Sequence, residues 1–163
     1  MWNEQIIMML LEGIKDTLYM TLTSTLIGYV IGLPMGILLT VTDKDGIHPN
    51  AAVYKVLDVI ANLIRSVPFL ILLIVLIPFT RFLIGRSYGP TATIVPLVIA
   101  AAPYIARMVE SSLKEVDAGV IEAARSMGAS NFTIVTKVML VEARTSLIVG
   151  ATISLGTILG YSA

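Results

Sequence analysis

The sequence predicts an all-α membrane protein, a polytopic bundle of helices. Hydrophobic residues make up 56% of the 163 residues and charged residues only 13%, where soluble domains have about 25% charged residues. The mean hydropathy is +0.90. The charges are clustered, and the apolar gaps between them match the roughly 20 residues that a helix needs to cross a bilayer. We therefore expect membrane-spanning helices joined by short polar connections.

The overall composition argues against several other classes of protein. The 11 basic and 11 acidic residues give a net charge of zero, so the chain lacks the basic excess of a nucleic-acid partner. Its high hydrophobicity is unlike that of a disordered chain. Without cysteine it has no disulfide framework and no thiolate metal cluster. We expect neither a nucleic-acid partner nor a metal site.

The charge-free gaps predict where the helices cross the membrane. Four spans are expected, with approximate limits 15–41, 58–80, 88–108 and 142–163. Residues 3–14 are expected to form a short amphipathic lead into the first span. The second span contains Arg65, seven residues after Asp58 and so on the same helix face. We interpret this pair as an anchor at the membrane interface, with Arg65 snorkelling towards water.

The basic residues beside the spans predict the orientation, because cytoplasmic loops carry an excess of lysine and arginine. The 43–57 loop and the 109–141 segment are expected in the cytoplasm, and the N-terminus and the 81–87 turn outside. Eight basic residues lie on the first side and three on the second. They are Lys44, Lys55, Arg65, Arg107, Lys114, Arg125, Lys137 and Arg144, against Lys15, Arg81 and Arg86.

Small residues recur every four positions in the first and last spans, which predicts faces where helix backbones approach closely. These stripes are Gly28, Gly32 and Gly36 in the first span, and Gly156 with Gly160, beside Ser146, Gly150 and Ser154, in the last. Prolines in and beside the spans permit kinks. Thr152, Ser154 and Tyr161 are candidate residues of a substrate pathway, although polar packing between helices explains them as well.

The charge-free cores of the spans contain no acidic residue or histidine that would serve as an ion site or a proton relay. The chain also has no phosphate-binding loop and no catalytic constellation. We therefore expect a subunit that is not an enzyme. If it moves a solute uphill, the energy comes from another protein. The alternative is a membrane channel or scaffold that needs no ATP.

The 109–141 segment predicts two helices that meet at a tight turn. Asp117 is placed to cap the first helix and Ser130 the second, and Gly128 stands where a left-handed residue ends a helix. The first helix has an apolar face of Val120, Ile121, Ala124 and Met127 and a polar face of Glu122, Arg125 and Ser126. Such a helix either docks in a groove of a partner or lies on the bilayer surface.

The run Glu122-Ala123-Ala124-Arg-Ser-Met-Gly128, followed by Ile134 and Leu140, resembles the EAA loop of ABC importer permeases. In that family the loop is a coupling helix, which sits in a cleft of a cytoplasmic ATPase subunit. The resemblance implies the ATPase-coupling residues Gly119, Glu122, Ala123, Ala124, Arg125, Gly128 and Ala129. The chain departs from the family where Val141 and Ala118 replace the usual prolines.

Other strings resemble the methionine-type branch of these permeases, namely Arg65-Ser-Val-Pro68-Phe69, Ala101-Ala-Pro103-Tyr104 and Leu159-Gly-Tyr-Ser-Ala163. The resemblance implies one permease domain over 1–163 with the type I importer fold, in the bacterial inner membrane. It also implies a homodimer, two ATPase subunits that bind ATP and magnesium, and a substrate-binding lipoprotein. Permeases of this branch carry a fifth span, so we expect a C-terminal truncation.

Overall fold

A computed structural model describes residues 4–162, which form helices and no strand. The elements in order are α1 (Glu4–Thr42), α2 (Ala51–Ser66), α3 (Phe69–Val75), α4 (Ile77–Ile84), α5 (Pro90–Lys114), α6 (Ala118–Ser126), α7 (Asn131–Thr133), a π-helical segment (Ile134–Met139), α8 (Leu140–Glu142) and α9 (Arg144–Ser162). The all-α prediction is therefore confirmed.

Helix α5 is the centre of the bundle and packs against α1, α2, α3, α4 and α9. Its large apolar side chains form most of the core, and Leu97, Ile105, Val109 and Leu113 are each at most 1% exposed. A helix that is apolar on nearly all sides is stable only when it is surrounded by protein or lipid. The first and last long helices of the chain supply much of that cover.

The close approach of α1 and α5 depends on the predicted glycine stripe of the first span. A Cβ atom on Gly32 would lie 2.6 Å from the carbonyl oxygen of Ala102, and one on Gly36 would lie 2.5 Å from that of Ala106. A Cβ on Gly28 would lie 3.0 Å from Ile105. No side chain fits at Gly32 or Gly36 without moving the neighbouring backbone, so these two positions set how closely the helices pack.

The glycine stripe predicted for the last span does not lie at a helix contact within the described residues. A Cβ atom on Gly156 or Gly160 would meet nothing within 4 Å among the described residues. Helix α9 instead packs on α5 through its second small stripe. Ser146 donates a hydrogen bond of 3.0 Å to Ser112, and a Cβ on Gly150 would lie 3.5 Å from Met108. The expectation that Gly156 and Gly160 pack helices together is therefore wrong for contacts within residues 4–162.

The predicted second span, 58–80, is not one helix. Helix α2 ends at Ser66, and α3 begins after Pro68 at an angle of 102°. Proline has no amide hydrogen to continue the helix, and it forces the preceding Val67 into an extended conformation, with ψ at 125°. A second break at Leu76 separates α3 from α4. The charge-free gap predicted a crossing but not these bends.

The other spans differ from their predicted limits in length. Helices α1, α5 and α9 are each long and apolar enough to cross a membrane, and the bent pair of α2 and α3 would make a fourth crossing among the described residues. The amphipathic lead at 3–14 and the first span form one continuous helix, which is roughly 58 Å long at 1.5 Å per residue. Residue 3 and Ala163 lie outside the described residues.

Candidate functional site

Two side chains fix where the helices of the candidate coupling segment begin. The carboxylate of Asp117 accepts a hydrogen bond of 2.7 Å from the backbone amide of Gly119, at the first turn of α6. The hydroxyl of Ser130 accepts one of 3.3 Å from the amide of Thr133, at the start of α7. Both predicted caps are confirmed, and they satisfy amides that a helix start leaves free.

The turn between α6 and α7 depends on Gly128, whose φ of +81° is in the left-handed region. Its amide donates to the carbonyl of Arg125 at 2.9 Å, and the amide of Ala129 donates to that of Ala124 at 3.1 Å. This pair of bonds is the Schellman motif that ends helices at glycine. The sequence-based assignment of Gly128 is therefore confirmed.

Helix α6 turns one face to the bundle and leaves the rest exposed. Ala124 is 5% exposed and belongs to the core, and Ile121 packs against it. Glu122 and Ala123 are exposed. The predicted apolar face is only partly covered, because Met127, beyond the last turn, is 82% exposed. Ala124 thus seats the helix, while its neighbours remain available to a partner.

The exposed side of α6 faces a second segment of the chain. The guanidinium of Arg125 donates a hydrogen bond of 3.0 Å to the carbonyl of Ile47, in the turn that follows α1. A cleft of about 780 Å³ lies between α6 and this turn, and Asp43, Lys114 and Glu122 are among its lining residues. Arg125 thus connects α6 to the turn that follows α1.

Five charged side chains form a chain of ion pairs beside this cleft. We refer to them as the ion cluster: Asp43 after α1, Asp58 on α2, and Arg107, Glu110 and Lys114 on α5. Arg107 pairs with Asp58, and it also lies 2.7 Å from Glu110. Lys114 lies 2.8 Å from Glu110 and 2.7 Å from Asp43. The cluster therefore joins three helices at the end of the bundle nearest α6.

The ion cluster also recruits polar side chains of α2. The amide oxygen of Asn62 accepts a hydrogen bond of 3.0 Å from Arg107, and the hydroxyl of Tyr54 donates one of 3.4 Å to Glu110. Sequence reasoning missed this cluster: it interpreted Asp58 as an interfacial anchor and did not predict the ion pair with Arg107. The spacing of Arg107 to Glu110 and of Glu110 to Lys114 is the signal that was available, since residues three or four apart share a helix face.

The ion pair between Asp43 and Lys114 leads to a prediction about pH. The hydrogen bond from the Lys114 ammonium lowers the pKa of Asp43 below its usual range. The pair therefore stabilises the fold above about pH 4, the ordinary carboxyl pKa, and this contribution is lost as the pH falls through the lower pKa of the folded state. Since the Lys114 side chain is 43% exposed, the contribution is expected to be below about 1 kcal/mol.

This expectation is tested by melting purified Asp43→Asn protein in detergent between pH 3 and 7. The variant should melt slightly below the unmodified protein at pH 7, and the difference should shrink towards the acid end. Asp45→Asn is the matched control, because the side chain of Asp45 is 85% exposed. A difference between Asp43→Asn and unmodified protein that grows on acidification would contradict the assignment.

The three candidate pathway residues on α9 are not brought together. Ser154 is fully buried and donates a hydrogen bond of 2.8 Å to the carbonyl of Gly150. Thr152 is exposed, and its hydroxyl is bonded to the carbonyl of Ile148 at 3.0 Å. Tyr161 stacks on the ring of Phe69, with 4.8 Å between the ring centroids. Ser154 is therefore a packing residue in this structure, and of the three only Tyr161 lines the cavity described next.

A cavity of about 220 Å³ lies where α2 breaks, between α5 and α9. We call it the break cavity, and its lining residues include Arg65, Phe69, Tyr104, Thr157 and Tyr161. Ala101, midway along α5, also lines it. Arg65 itself is an exposed residue. The interpretation of Arg65 as an interfacial anchor stays a prediction.

Comparison with known proteins gives a consistent result across sequence and structure. A family model described as "Binding-protein-dependent transport system inner membrane component" matches residues 7–163. The D-methionine transport system permease protein MetI of Salmonella typhimurium is 50% identical over 161 residues, which are 99% of this chain and 74% of that protein. The protein of the same name from Escherichia coli strain K12 matches with the same identity and coverage.

The solved structures agree with the sequence relatives. A structure of the MetNI methionine ABC transporter in an inward-facing conformation matches with a TM-score of 0.96 and 50% identity, over 99% of this chain and 74% of that chain. An amino acid ABC transporter crystallised with histidines matches with a TM-score of 0.73 and 23% identity, which shows a shared fold. The predicted type I importer permease fold is therefore confirmed. This chain belongs to the family of inner-membrane components of binding-protein-dependent transport systems, as an ABC importer permease.

Proposed function

We propose that this permease imports methionine or a related amino acid, powered by ATP hydrolysis on a separate ATPase subunit. Relatives at 50% identity are named as D-methionine permeases, and a matching structure is that of a methionine ABC transporter. The complex would contain two copies of this chain, two ATPase subunits and a substrate-binding lipoprotein. ATP and magnesium would bind to the ATPase, and this chain would be a non-catalytic subunit.

The geometry of α6 is the observation that carries this proposal. The helix is short, capped at both ends and seated on the bundle through Ala124. Its remaining faces are exposed, as helix-in-groove recognition requires. We assign contact with the ATPase to Gly119, Glu122 and Ala123, and we assign the positioning of α6 to its neighbouring residues Ala124, Arg125, Gly128 and Ala129.

The proposed mechanism is alternating access. Closure of the ATPase pair would displace α6, and the displacement would reach α1 through the bond between Arg125 and Ile47. The ion cluster would carry it on to α2 and α5. A partner shifts such an equilibrium only by binding one conformation better than the other. The contribution of this chain is therefore a difference in contacts between two states, and no bond is made or broken on it.

The proposed orientation places α6, the 43–57 loop and the ion cluster in the cytoplasm, with the N-terminus outside. Eight basic residues lie on the cytoplasmic side of this arrangement and three on the other. The excess favours this orientation by the positive-inside rule. The ATPase must meet α6 on the side where ATP is present, which agrees with the same orientation.

Substitutions in α6 and in its terminal turn test the coupling. Gly128→Ala forces a side chain into a left-handed conformation at a cost of about 1–2 kcal/mol, which should tilt α6 and lower coupled uptake. Glu122→Gln should weaken binding of the ATPase, with uptake at least about tenfold lower if the carboxylate forms a buried pair with the partner. Uptake by proteoliposomes and co-purification with the ATPase measure the two effects.

Two matched variants serve as controls. Gly128→Asn should retain most activity, because asparagine tolerates the left-handed region better than other side chains. Glu115→Gln changes an exposed carboxylate outside α6 and should leave both readouts unchanged. Normal coupled uptake with both Gly128→Ala and Glu122→Gln would overturn the coupling role. Substrate flux through the chain without any ATPase would instead favour an ATP-independent channel.

A further inference from the structure

The break cavity combines a cation with aromatic and hydroxyl side chains at a break in a candidate span. Arg65 is an exposed residue within the bent candidate span of α2 and α3, and arginines within spans generally mark functional sites. Ala101, at its wall, lies nine residues before Glu110 on α5, which is about 13 Å along the helix from the ion cluster. Arg65 has no ion-pair partner among residues 4–162.

The lining of the break cavity combines two kinds of chemistry. Arg65 supplies a guanidinium, whose fixed fork of donors suits a carboxylate. Phe69 and Tyr161 supply stacked rings, an apolar surface of the kind that accommodates thioether and aliphatic side chains. No carboxylate is among the residues that line the cavity in the described part of the chain.

A hydroxyl pair completes the lining. The Oγ1 of Thr157 lies 3.0 Å from the carbonyl of Ile153 and 3.4 Å from the Oη of Tyr104. The Tyr104 hydroxyl retains a hydrogen to donate, and its ring presents a π face that attracts an ammonium group. The volume of about 220 Å³ corresponds to about seven water molecules at ~30 Å³ each. This suits a single small amino acid and not a peptide.

We propose that the break cavity is a binding site for the transported amino acid, and that Arg65 binds its α-carboxylate. The apolar side chain of the substrate would lie against the rings of Phe69 and Tyr161, and the ammonium would face Tyr104. This inference rests on the proposed function, since it takes the transported solute to be an amino acid. It assigns a preference for neutral apolar amino acids to the membrane subunit itself.

The first test compares arginine variants in the complete transporter, reconstituted with its ATPase and binding protein. Initial uptake of radiolabelled L-methionine by Arg65→Gln should fall at least about tenfold, which is the loss expected for a charge-assisted hydrogen bond, while basal ATP hydrolysis persists. Arg65→Lys should retain part of the uptake. Arg81→Gln, on α4 and outside the cavity, is the matched control. Equal uptake by Arg65→Gln and Arg81→Gln would overturn the assignment.

The second test separates binding from folding and uses the natural absence of cysteine from the chain. Ala100→Cys places a thiol in the cavity wall, and Ala151→Cys places one on α9 outside it. In the complex with the ATPase, L-methionine should slow maleimide labelling at position 100 and not at 151. The amide of methionine, which lacks the carboxylate, should not protect.

Outcomes of the second test distinguish the two proposals. If the unmodified chain imports methionine but the thiol at position 100 is never protected, the cavity assignment is wrong and the proposed function stands. If the unmodified complex imports no amino acid, both are wrong. Protection that persists when Arg65→Gln is added would overturn the role of Arg65, because its guanidinium is then not needed for binding.

Discussion

Replacing Gly32 with alanine is expected to lower the melting temperature and the yield of folded protein substantially. The new methyl group would lie 2.6 Å from the Ala102 carbonyl oxygen and 2.9 Å from Ile105. The backbone oxygen cannot rotate away as a side chain could, so α1 and α5 must separate. Overpacking of this kind costs about 1–3 kcal/mol, and more where backbone is displaced.

Gly13→Ala is the matched control for this prediction. It makes the same change in the same helix, but a Cβ at this position meets nothing within 4 Å among the described residues. It should be neutral or slightly stabilising, because alanine favours the helix by up to about 1 kcal/mol over glycine. Both variants are compared by thermal melting of purified protein in one detergent. Equal melting temperatures would show that the seam between α1 and α5 tolerates a methyl group.

Replacing Arg107 with glutamine is expected to destabilise the bundle by a similar amount. The change removes the cation that Asp58 and Glu110 share, although Glu110 keeps its ion pair with Lys114 at 2.8 Å and the side chain of Asp58 is 32% exposed. Losing hydrogen bonds to charged groups in this setting costs about 1–3 kcal/mol. We expect a fall in melting temperature of ~5 °C and loss of coupled uptake.

The control for Arg107→Gln is Lys44→Gln. Lys44 pairs with Asp45 at 3.8 Å, and both side chains are 85% exposed. Such surface pairs contribute between about 0 and 1 kcal/mol. This variant should therefore have nearly the same melting temperature as the unmodified protein. The double variant Arg107→Gln with Asp58→Asn should recover part of the loss. If it melts lower than Arg107→Gln alone, the pairing between Arg107 and Asp58 is not what stabilises the cluster.

Local patterns in the sequence predicted much of the coupling segment correctly. Asp117, Gly128 and Ser130 act on backbone groups within a few residues, so their roles follow from short-range spacing. The same holds for the stripe of Gly28, Gly32 and Gly36, where a period of four residues defines one helix face. What the period does not define is the partner helix, and the stripe of Gly156 and Gly160 meets none among residues 4–162.

The bends and the charged contacts could not be predicted from a single sequence, because they depend on how distant segments pack. Pro68 was visible as a possible kink, but the size of the bend, 102°, does not follow from the proline alone. The partner of Asp58 lies 49 residues away on α5.

The ion cluster has a mechanical consequence. It fastens α1, α2 and α5 together at a single end, next to the point where Arg125 attaches α6 to the turn after α1. In the proposed mechanism, a push on α6 would therefore reach the three helices together. Beyond the ion cluster, the Val67–Pro68 break interrupts the helix, because Pro68 has no amide hydrogen and the amide of Val67 makes only a 3.3 Å bond to the carbonyl of Ile64. In the proposed transport cycle, strain would therefore concentrate at this break, which lies beside the proposed binding site for the amino acid.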